Sequence, residues 1–307
     1  MIPAGYFKEL FTASRKALQT VQFKYCENVD LANIVLFLIT RGCCNVRKLV
    51  LIPAKRTPFS KLNILTDYTM LANVLTKLEI LKIQDESSLS ITSLLNRNPE
   101  IKNLNLYKMH KINVGPLKAS LEKLVKLRKL NLKMCYQLTD LDSVLARHKS
   151  LLSLKLENIQ LQSSSLNCVL NLNNLRKLNL CGNRNVSESF IIALSQSLSK
   201  LETLSLNACP ITNLALEALS SSPLSGSLRK LELGATEITH LGLRFIQQFR
   251  YLSFLNISGN SIQNMVTNIT FILSRLVNLD TICLAGYEQL VVDTAKTYRI
   301  KVKTTPI

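Results

Sequence analysis

The 307-residue chain has no Trp, only 9 Gly and 8 Pro, and 6% aromatic residues. So little Gly and Pro excludes a collagen-like or linker-rich chain. Acidic residues are also scarce: 20 Asp and Glu stand against 38 Lys and Arg, giving a formal net charge of +18. Long apolar runs are missing. The run from Ile34 to Ile39 is among the longest, far below the ~20 apolar residues of a membrane-crossing helix, so no membrane insertion is expected. Apolar residues still make up 47% of the chain, which is too much for a disordered basic tail.

The chain opens Met-Ile-Pro-Ala-Gly-Tyr-Phe-Lys-Glu-Leu-Phe. This is not a charged start followed by a long apolar stretch, so no secretory signal is expected. The eight cysteines, Cys26, Cys43, Cys44, Cys135, Cys168, Cys181, Cys209 and Cys283, form no C-x-x-C pair. That usage fits a reducing compartment, and a cytoplasmic or nuclear location is expected. The sequons at Asn185, Asn256 and Asn268 read as chance matches, because Asn256 falls inside an expected strand.

What the chain does have is leucine, 59 copies, in one recurring phrase: apolar-x-x-apolar-x-apolar. It starts at Leu18, Val46, Leu78, Ile101, Leu127, Leu151, Leu175, Leu201, Leu228, Leu252 and Leu279, at spacings of 23 to 32 residues. Such spacing is that of a leucine-rich repeat. The longest unit, which contains Pro53 to Lys77, is expected to carry a looped insertion. The last two apolar positions of the phrase are two apart, so they share one face of a short strand. A stretch with helical spacing follows: Phe190, Ile191, Leu194 and Leu198 fall on one stripe, and Leu214–Leu219 and Leu241–Phe249 behave alike. One such unit cannot bury its apolar face alone, but stacking closes it. The expected fold is α/β: a leucine-rich repeat solenoid, or horseshoe, of about eleven repeats with a parallel concave β-sheet and convex helices. Residues 1–17 are expected to form an N-terminal capping helix, 18–286 the repeat domain, and 287–307 a C-terminal cap and tail.

Three units place Cys after the strand, at Cys26, Cys135 and Cys209, followed by text such as Tyr136-Gln137-Leu138-Thr139-Asp140 or Pro210-Ile211-Thr212-Asn213. A small buried Cys suits a tight bend, and Thr or Asp suits the N-cap of the next helix. On these residues the chain resembles the cysteine-containing leucine-rich repeats of F-box/leucine-rich-repeat proteins. The resemblance implies an interaction protein, with a substrate-recognition role in a cullin-type ubiquitin ligase as one form. The plan departs at the front, where about 17 residues precede the first phrase and an F-box needs several helices. Stand-alone relatives include small mitochondrial ones, which keeps a mitochondrial location open.

The search for chemistry finds little. His110, His148 and His240 fall in different repeats, with no metal-ligand spacing. No phosphate-binding or dinucleotide-binding glycine motif occurs. Cys181 and Cys283 fall near the concave positions without a visible base. No cofactor, no metal and no enzymatic activity are expected.

With the phrase numbered one to six and continued to eight, positions three, five and seven face the concave side. They hold Lys48, Lys129, Lys177 and Lys230 at three, Lys82 and Lys155 at five, and Lys24 and Lys133 at seven, against Glu157 and Glu232. Asn105, Asn131, Asn179 and Asn256 also stand at five, with Tyr25, Tyr107 and Phe254 as candidate aromatic anchors. A lysine array of this extent makes a broad positive potential. The expectation is an interaction scaffold that binds an acidic protein partner there. Nucleic acid is the alternative, weakened by the scarcity of stacking aromatics. The same lysines also serve solubility, because charged side chains discourage sheet-edge association.

Overall fold

The computed structural model describes residues 17–26, 37–53, 68–84, 91–109 and 112–304. It divides into two compact units, Met1–Leu138 and Thr139–Ile307. The first contains strands β1 (Thr20–Cys26), β2 (Lys48–Pro53), β3 (Ile80–Gln84), β4 (Asn103–Tyr107) and β5 (Lys129–Asn131). Its helices are α1 (Tyr68–Val74), α2 (Ile91–Asn96) and α3 (Val114–Glu122). The second contains β6 (Ser153–Lys155), β7 (Lys177–Asn179), β8 (Thr203–Ser205), β9 (Lys230–Glu232), β10 (Phe254–Asn256), β11 (Thr281–Cys283) and β12 (Lys301–Lys303). Its helices are α4 (Asp142–Arg147), α5 (Ser163–Val169), α6 (Glu188–Ser197), α7 (Asn213–Ser220), α8 (Leu224–Ser227), α9 (His240–Ile246), α10 (Met265–Arg275) and α11 (Gln289–Thr297).

Strand order follows sequence order in both units, and every pairing within each is parallel. The register places equal positions of the phrase side by side. In the first unit Leu49, Leu81, Leu104 and Leu130 align; in the second Leu154, Leu178, Leu204, Leu231, Leu255 and Ile282 do. These side chains are buried, and in β3 and β4 their strand neighbours are half-buried in strict alternation. Each return to the next parallel strand uses the turn and helix between phrases, as parallel pairing requires. Successive helices pack on one another: α1 on α2 and α2 on α3 in the first unit, and α6 on α7, α7 on α9, α9 on α10 and α10 on α11 in the second. The fold is thus the leucine-rich repeat solenoid that the phrase implies.

Helix starts follow the sequence closely. Ser187 caps α6 by accepting the Phe190 N–H, and Thr212 and Thr239 cap α7 and α9 by accepting from Leu214 and Leu241. Asp140 differs from the expected cap. Its carboxylate accepts the Asp142 N–H at 3.0 Å, but Leu141 holds the N-cap position. The α9 helix also stops at Ile246, three residues short of Phe249. The long repeat contains α1 at the usual place of a repeat helix. Tyr298 to Ile307, which reads from the sequence as a short strand or tail, supplies a twelfth strand, β12, beyond the eleven repeat phrases, with Val302 beside Ile282. The expected N-terminal helix and Tyr25's side chain lie outside the described residues, as does His110.

Position nine, the ninth residue from the phrase start, closes several of the bends, although Met109 and Ile159 hold that place in two others. Asn183 donates to the carbonyls of Leu156 and Leu180 at 2.7 Å each, and Asn260 donates to Leu233 and Ile257 at 2.8 and 3.2 Å. In Cys135 and Cys209 the thiol takes this role, donating to Leu106 at 3.5 Å and Leu180 at 3.2 Å. The Tyr287 hydroxyl does the same to Ile257 at 2.9 Å. In each case the acceptor includes position six of the preceding phrase, a carbonyl at the strand end that needs a partner once buried.

Candidate functional site: the open face of the sheet

Positions three, five and seven do lie on the side of the sheet away from the leucine core. In the first unit they bring together Lys48, Lys82, Lys129 and Lys133 with Asn105, Asn131 and Tyr107. In the second they bring together Lys155, Lys177, Lys230, Asn179 and Phe254. Lys129, Lys155 and Lys177 are exposed; the other members are half-buried.

The two faces differ in charge. In the first unit these positions carry Lys24, Lys48, Lys82, Lys129 and Lys133 and, among the described residues, no carboxylate. Composition follows the same division: 22 basic residues against 9 acidic, +13, in Met1–Leu138, and 16 against 11, +5, in Thr139–Ile307. Two of the described carboxylates of the first unit, Glu79 and Glu100, work at the edge where strands begin. Glu79 accepts from Arg47 at 2.5 Å and from Lys102 at 2.7 Å, and the Lys102 and Arg47 bonds hold its carboxyl below the usual range. Lys126 pairs with Glu100 at 2.6 Å. In the second unit Arg176 pairs with Glu202 at 2.5 Å on the corresponding edge.

On the second unit's face the lysines separate into two groups. Among the described residues, no hydrogen bond or ion pair holds the ammonium of Lys155 or Lys177. Lys230 is engaged: its Nζ lies 2.5 Å from the Glu232 carboxylate and 4.1 Å from the Phe254 ring centroid. Lys303 approaches the same ring at 5.2 Å. Glu232 is 7% exposed, and its row continues through Ser205, Asn256 and Cys283, all buried. Neighbouring Asn207 accepts the Gly234 N–H at 2.7 Å and an Asn256 amide hydrogen at 3.3 Å. This part of the face is therefore knitted to itself. Nothing in the phrase marks Glu232 as buried, and Lys303 is not assigned to the row from the sequence because β12 lacks the leucine phrase.

Elsewhere among the described residues the cysteines and His148 are not gathered into a metal-holding group. Burial pushes the Cys135 thiol up to about 11 and the Cys209 thiol up to about 12. Burial also raises Cys283, with Lys303 and Lys230 pulling the other way. Cys43 is buried and Cys44 exposed. His148 is buried, with its Nδ1 2.5 Å from the Val144 carbonyl. Among the described residues no group of His, Cys, Asp and Glu could hold a metal ion, and no helix is long and apolar enough to cross a membrane.

No protein-family model matches the chain, and no curated protein is similar to it in sequence. Among solved structures it is similar to an internalin from Listeria monocytogenes, with a TM-score of 0.53 and 18% identity over 95% of this chain and 88% of that one. At that identity the likeness concerns the fold. With the parallel sheet and repeated bends, it establishes the chain as a leucine-rich repeat solenoid.

Proposed function

We propose that the chain is a non-catalytic interaction scaffold that captures an acidic segment of another protein on the open face of its sheet. The observation that supports this reading is the first unit's face, with lysines on four of its five strands (Lys24, Lys48, Lys82 and Lys129) and no carboxylate among the described positions. Desolvating such a face against a neutral partner would cost energy that an acidic one returns. Exposed Lys155 and Lys177 extend the same chemistry in the second unit.

The test is fluorescence anisotropy of a labelled peptide rich in Glu and Asp, titrated with the full chain at several salt concentrations. Affinity should fall as salt rises. Joint reversal of Lys129 and Lys133 to Glu should weaken binding by on the order of ten-fold. Binding that ignores that reversal would remove the face from the proposal. Stronger retention of a mixed-sequence RNA, with a steep salt slope, would replace the protein partner with a nucleic acid.

A further inference from the structure

The geometry points to the outer edge of β12 as a second docking surface, which takes up an extended acidic segment of a partner protein as one more strand of the sheet. It lies in the second unit and stands apart from the lysine face of the first.

The backbone carries the first part of the case. Among the described residues β12 pairs with β11 alone. On that side the Lys301 N–H donates to the Asp280 carbonyl and the Lys303 carbonyl accepts from the Leu284 N–H, both at 2.9 Å. Successive residues of a strand turn their backbone groups to opposite sides. The N–H and carbonyl of Val302 therefore face away from β11, and among the described residues no strand takes them up. In the strand before, the same groups of Ile282 are covered by β12 itself. The inward row is incomplete in the same place. Leu231, Leu255 and Ile282 are fully buried, whereas Val302, next in that row, is half-buried, as is Ile300. An apolar residue on an added strand would stand beside Val302 and continue the row.

The side chains on either side of Val302 select the occupant. Lys301 is exposed, and among the described residues no carboxylate pairs with it. Lys303 likewise has no carboxylate partner there; its ammonium lies 5.2 Å from the Phe254 ring centroid. Both lysines stand on the open side of the sheet. Residues directly opposite one another on paired strands come within ~5 Å, where opposite charges attract and like charges repel. A segment reading acidic–apolar–acidic thus meets both ammoniums and Val302 at once. The match holds for a parallel or an antiparallel segment, because opposed residues share a face either way. A nucleic-acid strand would offer charge but no backbone amides for Val302. Addition of a strand to an open sheet edge draws its affinity from those main-chain bonds and its specificity from alternate side chains.

The experiment titrates the full chain into a labelled peptide of sequence Ser-Glu-Val-Glu-Val-Glu-Ser, read by fluorescence anisotropy, beside the same peptide methylated at its backbone amides. The methylated peptide keeps the charge for any binding at the lysine face but cannot pair as a strand. The unmethylated peptide should bind on the order of ten-fold tighter. That excess should persist in Lys129→Glu/Lys133→Glu and vanish in Lys301→Glu/Lys303→Glu, which should instead prefer the peptide with Lys in place of Glu. Val302→Pro removes only the outward N–H and leaves the β11 bonds of Lys301 and Lys303, so it too should abolish the excess, with circular dichroism confirming the fold. Equal binding of the two peptides would overturn strand addition, and binding of both that is lost in Lys129→Glu/Lys133→Glu would leave the lysine-face reading standing. An excess that survives both Lys301→Glu/Lys303→Glu and Val302→Pro would overturn the placement on β12. Dimers of the unliganded wild type that dissociate in Val302→Pro would give the edge to a second copy of the chain and overturn the acidic partner.

Discussion

At the residue scale, position nine sets how tightly one repeat joins the next. Asn183 and Asn260 each supply two donors to buried strand-end carbonyls, where Cys135 and Cys209 supply one weak S–H donor. Asn183→Ala should therefore destabilise the fold by ~1–3 kcal/mol, the cost of leaving buried carbonyls unpaired, read as a lower denaturation midpoint with an unchanged slope. The thiols give a second, independent check. With Cys135 and Cys209 buried and their proton loss pushed to about 11 and about 12, a thiol reagent at neutral pH should modify exposed Cys44 and spare both until the protein unfolds. Equal labelling of Cys44 and Cys209 in the native state would contradict the buried bends. The cysteines were legible in the sequence as small residues at a bend. The equivalence of Asn183 and Asn260 with them was hidden, because an Asn after a strand reads equally well as an ordinary turn residue.

At the scale of elements, the strands were legible because the leucine phrase states both their place and their register. β12 was only partly legible, Tyr298 to Ile307 reading as a short strand or tail, because Arg299 and Thr304 stand where its neighbours place apolar side chains, leaving Val302 alone to point inward. Helix starts were legible wherever Ser or Thr holds the cap. The junction of α7 and α9 carries more than caps: Asn213 donates to the Thr239 hydroxyl at 2.9 Å and accepts the Thr239 N–H at 3.0 Å. A Cβ on Gly242 would fall 3.0 Å from the Asn213 Cγ and closer still to its Oδ1. Gly242→Ala should therefore loosen this junction and cost ~1–3 kcal/mol, whereas an exposed helical Gly→Ala change is ordinarily stabilising; a raised melting temperature would refute the clash. On the strand-start edge, Glu79 tests the charge ladder. Its carboxyl sits below the usual value through Lys102 and Arg47, so the native state favours its ionised form. Its contribution is present at neutral pH and lost as pH falls through that lowered value. The melting-temperature gap between wild type and Glu79→Gln should close on acidification, and also on adding salt, since the partners are exposed.

At the scale of the whole molecule, the surplus charge is divided unevenly, +13 in the first unit and +5 in the second. The sequence placed the lysines on one face because their positions within the phrase are fixed. It could not show which were already occupied: Lys230, bound by Glu232 and Phe254, read the same as exposed Lys177. The unequal division predicts where the salt dependence of an acidic ligand arises. Reversing Lys129 and Lys133 should flatten it more than reversing Lys230, whose ammonium already has a carboxylate partner; equal effects would show that long-range field rather than local pairing governs binding. The last strand has a consequence for self-association. Among the described residues β12 pairs on one side only, so its outer backbone groups form a template for another parallel strand. Lys301 and Lys303 flank Val302 there, and two copies meeting at this rim would bring four ammoniums together. Neutralising both lysines as Thr should lift that repulsion and let molecules pair rim to rim into concentration-dependent dimers, visible by light scattering.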